Sequence, residues 1–267
     1  MRLSIITINF NNAVELNKTI ESVIKQTATD FEYIVIDGGS TDGSKEIIQK
    51  YQDKITYWIS EPDKGIYNAM NKGILAAKGE YLQFLNSGDF LANNEVTTLM
   101  LNKLGEESVL YGNMIKVWPS GRIFKNTSIN TNSMLPFYIG SLNHSPSYIL
   151  KSLFTKYGLY DESLKIVSDW KFFLDSVALG NEPVKYVDID VTIFDMTGIS
   201  STNSVLDKAE RRKVLEEKLP KSILLDYDNH WREIEMVQRL KRHKLIFKFV
   251  WFLERVLFKI EKRAKKN

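Results

Sequence analysis

Phe84-Leu85-Asn86-Ser87-Gly88-Asp89 sets a carboxylate just beyond an apolar run, and it follows Glu61-Pro62-Asp63-Lys64-Gly65-Ile66-Tyr67-Asn68-Ala69-Met70-Asn71-Lys72-Gly73. Open α/β sheets bind their ligands beyond the carboxyl ends of buried strands. A strand that closes in polar residues and an acid therefore marks a candidate site, with Asp89 as the first candidate for a metal and diphosphate ligand. Asn, Ser, Gly and Asp are also the ordinary residues of a turn with a helix cap. Taken alone, that plainer reading of the stretch would prevail, so the neighbouring segments decide.

Strand and helix signals alternate outward from this point. Leu3 to Ile8 reads as a strand, and Val14 to Ile24 has the apolar spacing of a helix packed on a sheet. Glu32 to Ile36 is a second strand, Asp37-Gly38-Gly39-Ser40-Thr41-Asp42-Gly43 its turn, and Ser44 to Tyr51 a short helix. Ile55 to Ser60, Tyr67 to Ala77 and Tyr81 to Leu85 read as strand, helix and strand. This order predicts an α/β fold with a largely parallel sheet and right-handed crossovers. Asn9, Asp37, Glu61 to Lys64 and Asn86 to Asp89 would then gather at one edge, and such a convergence is more than separate turns require.

Composition narrows the chemistry. Hydrophobic residues make up 43% and charged residues 26% of the 267, values of a globular chain. The absence of cysteine excludes disulfides, thiolate metal sites and a cysteine nucleophile. Histidines at only 144, 230 and 243 leave little scope for a histidine-rich zinc centre. The first βα turn, Asn9-Phe10-Asn11-Asn12, lacks the glycines of a dinucleotide fingerprint, and no Gly-x-x-x-x-Gly-Lys-Ser/Thr loop occurs. The opening residues do not read as a signal peptide, which predicts a cytoplasmic protein. Charge is uneven: residues 239 to 267 hold 11 Lys/Arg against 2 Asp/Glu, leaving 25 against 31 in residues 1 to 238. No basic groove for nucleic acid is therefore expected in the body.

The ordered set of motifs resembles the inverting glycosyltransferases of family 2. It comprises Thr7 to Asn9, the Asp37 to Gly43 turn, Ser60 to Tyr67, Asn71-Lys72-Gly73, Gly79-Glu80-Tyr81 leading to Asn86-Ser87-Gly88-Asp89, Ser168-Asp169-Trp170 and Gly198-Ile199-Ser200. The resemblance covers roughly residues 3 to 200. It implies a GT-A fold, Rossmann-like with a mostly parallel sheet flanked by helices, followed by a helical tail. The implied division is a catalytic domain over 1–202, with a nucleotide-sugar half to about 105 and an acceptor half after it, then an extension over 203–267.

The resemblance also assigns roles. Thr7, Asn9, Asp37, Asp63, Lys64, Asn86 and Ser87 match positions that line the nucleotide-sugar site. Asp89 matches the acid that holds Mn2+ or Mg2+, with Asn86 where the family usually has another acid, and His144 is a further candidate for the metal shell or the diphosphate. A metal there acts as a Lewis acid on the leaving group. Asp169 matches the general base that an inverting transfer needs, although the same residue at a helix start would also serve as a cap. Met196 to Ser201 resembles a loop near the donor.

The implied reaction moves a sugar from a nucleotide donor, taken as a UDP-sugar, to a glycan or lipid-linked hydroxyl in bacterial surface-polysaccharide assembly. A sugar nucleotidyltransferase would need a glycine-rich loop after the first strand, which is missing. A non-catalytic sugar-binding module is the alternative from another class. Residues 239 to 267 form a basic amphipathic segment that suits either an anionic membrane surface or packing on protein. Whether the chain forms a homo-oligomer is open at this level.

Overall fold

The computed structural model describes residues 1–127, 129, 131, 133–196 and 203–264. The expected Gly198-Ile199-Ser200 motif lies outside them.

Strand β1 (Leu3–Asn9) is buried along its whole length, as a strand covered on both faces must be. It pairs in parallel with β2 (Phe31–Asp37) and β4 (Tyr81–Phe84), and β2 pairs in parallel with β3 (Tyr57–Ser60). Helices α1 (Ala13–Ile24), α2 (Ser44–Lys50) and α3 (Ile66–Ala76) make the crossovers. Leu3, Ile5, Tyr33 and Val35 turn to one face and share a core with Leu16, Ile20, Val23 and Ile48. On the other face α3 lies close to β1. A Cβ at Gly73 would stand 2.5 Å from Ile6 Cγ2, so the approach requires glycine.

Beyond β4 the sheet becomes mixed. The remaining strands are β5 (Phe90–Leu91), β6 (Val109–Val117), β7 (Ile123–Asn126), β8 (Ser147–Leu150) and β9 (Val184–Asp195). The order is β3-β2-β1-β4-β8-β6-β9-β5, with β7 paired to β6. β8 runs antiparallel to both β4 and β6, β5 antiparallel to β9, and β6 parallel to β9. The parallel expectation thus describes β3-β2-β1-β4, while the rest depends on pairings too short or too distant for hydrophobic period to reveal. Between these strands lie α4 (Val96–Leu101), α5 (Leu135–Ile139), α6 (Ser152–Tyr157) and α7 (Ser168–Phe173), which continues as a π-helical turn over Leu174–Leu179.

Met1–Val214 and Leu215–Asn267 each form a compact unit. Helix α8 (Ser204–Lys218) closes the first unit and opens the second, which continues as α9 (Lys221–Arg242) and α10 (Lys244–Ala264). Among the described residues no helix is long and apolar enough to cross a membrane.

Candidate active site

Parallel pairing sets Asn9 opposite Asp37 and Asp37 opposite Ser60, so three polar residues close three neighbouring strands in register. Asp37 is fully buried, and its carboxylate accepts from Asn9 Nδ2 (2.7 Å), Ser40 Oγ (2.6 Å), the Ser40 N–H (2.9 Å) and Ser60 Oγ (2.7 Å). Burial would raise its pKa, but the hydrogen bonds from Ser40, Asn9 and Ser60 outweigh it and hold the carboxyl below the ordinary aspartate range. All four lone-pair directions are thereby engaged, so Asp37 shapes the turn.

Asn9 differs from its neighbour in one respect. Its buried Oδ1 has no hydrogen-bond partner, and such an orphan costs free energy unless something supplies a donor. Asp63 leans over the same turn: its Oδ1 accepts the Gly65 N–H (2.9 Å), and its Oδ2 would lie 2.5 Å from a Cβ at Gly38. Glycine at 38 is what admits that carboxylate. Lys64 is exposed beside a cleft of about 190 Å³ that Tyr67, Asn68, Glu162 and Lys165 also line. Thr7 lies inside the sheet, where its hydroxyl accepts from Tyr33 (3.0 Å).

A second cavity, of about 180 Å³, brings together Asn86, Asp89, Asn143, His144, Asp169 and Tyr67. The chain reaches it because pairing with β1 continues past β4: the Leu85 N–H donates to Ile6 O (2.9 Å) and the Ser87 N–H to Ile8 O (3.1 Å). Gly88, with φ at +105°, then turns the backbone and delivers Asp89 into a buried position. Asn86 Oδ1 and Asn143 Nδ2 are both buried without partners, an acceptor and a donor on the lining of one cavity. Ser87 is not on that lining and accepts from Asn12 at its carbonyl (3.3 Å).

The wall of this cavity that carries Tyr67, His144 and Asp169 is ordered by hydrogen bonds. Tyr67 Oη lies 2.9 Å from Asp169 Oδ1 and 2.5 Å from Ile166 O, and its single proton serves one of them at a time. Burial, then the Asp169 charge, push the phenol pKa well up, so it stays a neutral donor. His144 Nε2 is 2.8 Å from Tyr160 Oη, and the ring stacks on Phe84 at 4.9 Å. Burial lowers its pKa against an opposing pull from Asp169. The imidazole is therefore neutral, and only its Nδ1 is left for a metal.

Among the described residues no group of three or more His, Cys, Asp or Glu could hold a metal by itself. Asp89 and the orphaned Asn86 oxygen are hard donors of the kind Mg2+ and Mn2+ accept, and such ions are commonly completed by substrate phosphates. The donor set suits a metal that arrives with a diphosphate.

Sequence reading missed Tyr67 as a partner of Asp169, and Asn143, Glu210 and Arg211 altogether. The Glu210 carboxylate accepts the N–H groups of Lys165 (2.7 Å) and Ile166 (3.0 Å). The Arg211 guanidinium lies 4.6 Å over the Trp170 ring and donates to Gly140 O (2.7 Å). Trp170 donates in turn to Phe137 O (2.8 Å). Helix α8 thus grips the loop on either side of Asp169. Tyr67 stands inside a quoted motif, whereas Glu210 acts on backbone N–H groups that leave no pattern to find, and Arg211 meets Trp170 across 41 positions of the chain.

Residues 4–156 match the model of glycosyl transferase family 2. A protein of Mycobacterium tuberculosis strain H37Rv, named an uncharacterised glycosyltransferase, is 33% identical over 207 residues, covering 74% of this chain and 77% of that protein. A PGL/p-HBAD biosynthesis glycosyltransferase of the same strain is 26% identical over 211 residues, covering 77% of this chain and 80% of that one. The fold resembles that of Staphylococcus aureus TarS solved with UDP-GlcNAc, at a TM-score of 0.65 and 20% identity over 83% of this chain and 69% of that chain. A mannosyltransferase from Pyrobaculum calidifontis, solved with GDP-Man and Mn2+, matches with a TM-score of 0.59 and 12% identity over 79% of this chain and 60% of that one.

Proposed function

Because this chain belongs to glycosyl transferase family 2, we propose that it moves a sugar from a UDP-sugar to a hydroxyl of a glycan or lipid-linked acceptor, with inversion at the anomeric carbon. Family membership sets aside the nucleotidyltransferase and the non-catalytic module. The observation that carries the proposal is the shared cavity, with Asn86 and Asp89 from the nucleotide side and Asp169 from the other.

Asp169 serves as the base. Its carboxylate takes the proton of the acceptor hydroxyl as that oxygen attacks the anomeric carbon from the face opposite the diphosphate, and the bond from the anomeric carbon to the diphosphate oxygen breaks. The Tyr67 hydroxyl holds one carboxylate oxygen and leaves the other for the proton. A divalent cation on Asp89 would offset the charge of the departing diphosphate. Neutral His144 adds no charge to that centre. The orphaned amide groups of Asn86 and Asn143 have hydrogen-bonding capacity for sugar hydroxyls, while Asn9 Oδ1, Asp63 and Lys64 are assigned in this reading to the nucleotide. The TarS complex with UDP-GlcNAc is the ground for writing the donor as a UDP-sugar, and the mannosyltransferase complex makes GDP-sugars the competing donors to assay. The reaction is assigned to surface-polysaccharide assembly at the inner face of the cytoplasmic membrane.

The test is nucleoside diphosphate release from UDP-sugars, with and without glycan acceptors, and NMR of the product. Acceptor-dependent UDP release and an anomeric configuration opposite to the donor's are expected. Asp169→Asn keeps the size and much of the helix capping but cannot accept the proton. It should slow transfer by roughly 10²- to 10⁴-fold with UDP binding retained. A retained anomeric configuration, or normal transfer by that variant, would refute the assignment.

A further inference from the structure

Helix α10 (Lys244–Ala264) keeps two kinds of side chain apart. At about 100° per residue, Leu245, Phe249, Phe252, Leu253, Val256 and Ile260 fall on one arc, and Lys244, Lys248 and Arg255 on a narrower arc along its flank. The apolar arc is uncovered: Leu245 is 83% exposed, Phe249 61%, Phe252 59% and Ile260 57%. A helix of a globular unit normally buries such a stripe, and a contiguous apolar surface of this kind marks an interaction site. Trp251 stands apart from that arc with the Arg255 guanidinium 4.6 Å from its ring, a pairing of aromatic and basic groups suited to a headgroup layer.

Charge selects the occupant. Residues 239 to 267 carry 11 Lys/Arg against 2 Asp/Glu. A second copy of the helix would bring the same positive excess and repel the first. A membrane span is excluded for this helix, since it is not apolar enough to cross. An anionic bilayer offers acyl chains to the apolar arc and negative headgroups to the lysines and arginines at once. We propose that α10 lies in the plane of an anionic membrane, apolar arc inward and basic arc in the headgroups, and holds the protein there reversibly. This surface is independent of the sugar-transfer reading.

The experiment uses the full chain and sedimentation with vesicles. Binding is expected to be at least ~10-fold stronger when about one third of the phosphatidylcholine is replaced by phosphatidylglycerol. Salt raised to about 0.5 M should weaken but not abolish it, because screening leaves the apolar contribution intact. Phe249→Glu with Phe252→Glu should abolish binding, and Lys248→Glu with Arg255→Glu should lower it at least ~10-fold. All four positions are exposed, so thermal unfolding and UDP binding should be unchanged in both variants. Equal binding to neutral and anionic vesicles, or none to either, overturns the proposal. So does a concentration-dependent dimer that the phenylalanine variant abolishes while vesicle binding persists.

Discussion

Glu210→Ala offers a sharp test of how α8 supports the site. The Glu210 carboxylate is 9% exposed and its two oxygens each accept one backbone N–H, from Lys165 at 2.7 Å and Ile166 at 3.0 Å. Bonds from N–H to a carboxylate are stronger than neutral ones. Truncation strands both donors. Ile166 is 7% exposed, and an unsatisfied buried donor costs about 1–3 kcal/mol. The Lys165 N–H can turn to water at a smaller cost, so the loss should total about 2–4 kcal/mol. In a unit of this size, about 1 kcal/mol moves Tm by about 2–4 °C. Scanning calorimetry of the full chain should therefore show Tm lower by about 4–16 °C.

The effect should not stop at stability. Ile166 presents its carbonyl to Tyr67, the same hydroxyl that holds Asp169. Release of the loop misplaces Asp169, the proposed base, and a small displacement of a positioned group costs up to about 10²-fold in rate. The expected pattern is kcat lowered about 10- to 100-fold with UDP affinity within about 2-fold of the parent. Glu210→Gln, which keeps one acceptor oxygen, should fall between the parent and the alanine variant on both measures. A Glu210→Ala protein with unchanged Tm and unchanged kcat would show that the two hydrogen bonds carry no weight in solution.

Two further outcomes follow from the same geometry. Asp89→Ala should leave the fold intact, abolish transfer and remove the Mn2+-dependent part of UDP binding in a calorimetric titration; undiminished Mn2+ dependence would take the metal away from Asp89. Asp37 has a depressed folded-state pKa, so its contribution to stability is complete above the ordinary aspartate pKa and is lost as pH falls from there through the lower folded value. Asp37→Asn should be less stable at neutral pH, with a shallower decline of Tm across that acid window, and parallel declines in both proteins would contradict this account.

The alternation of strand and helix from Leu3 to Phe84 was legible because each signal is local: short apolar runs, helical spacing and turn residues at their ends. The same local chemistry marked Asn86, Asp89 and Asp169, and the motif order carried the family. Two polar residues of one strand show where local reading stops. Thr7 and Asn9 are alike in sequence terms, yet Thr7 is sealed in the sheet against Tyr33 while Asn9 ends the strand with an unpaired oxygen. Strand length and register separate them, and neither is a property of residue type. The two-residue pairing of β5 with β9, and the meeting of Tyr67 with Asp169 across 102 positions, likewise depend on contacts distant in the chain. Glu210 was invisible for a further reason: it binds backbone N–H groups, which every residue except proline has. The sequence by itself determined which chemistry this chain could carry. Only the tertiary structure decided which carboxylates face one cavity, because convergence at a point is set by how sheet and helices pack.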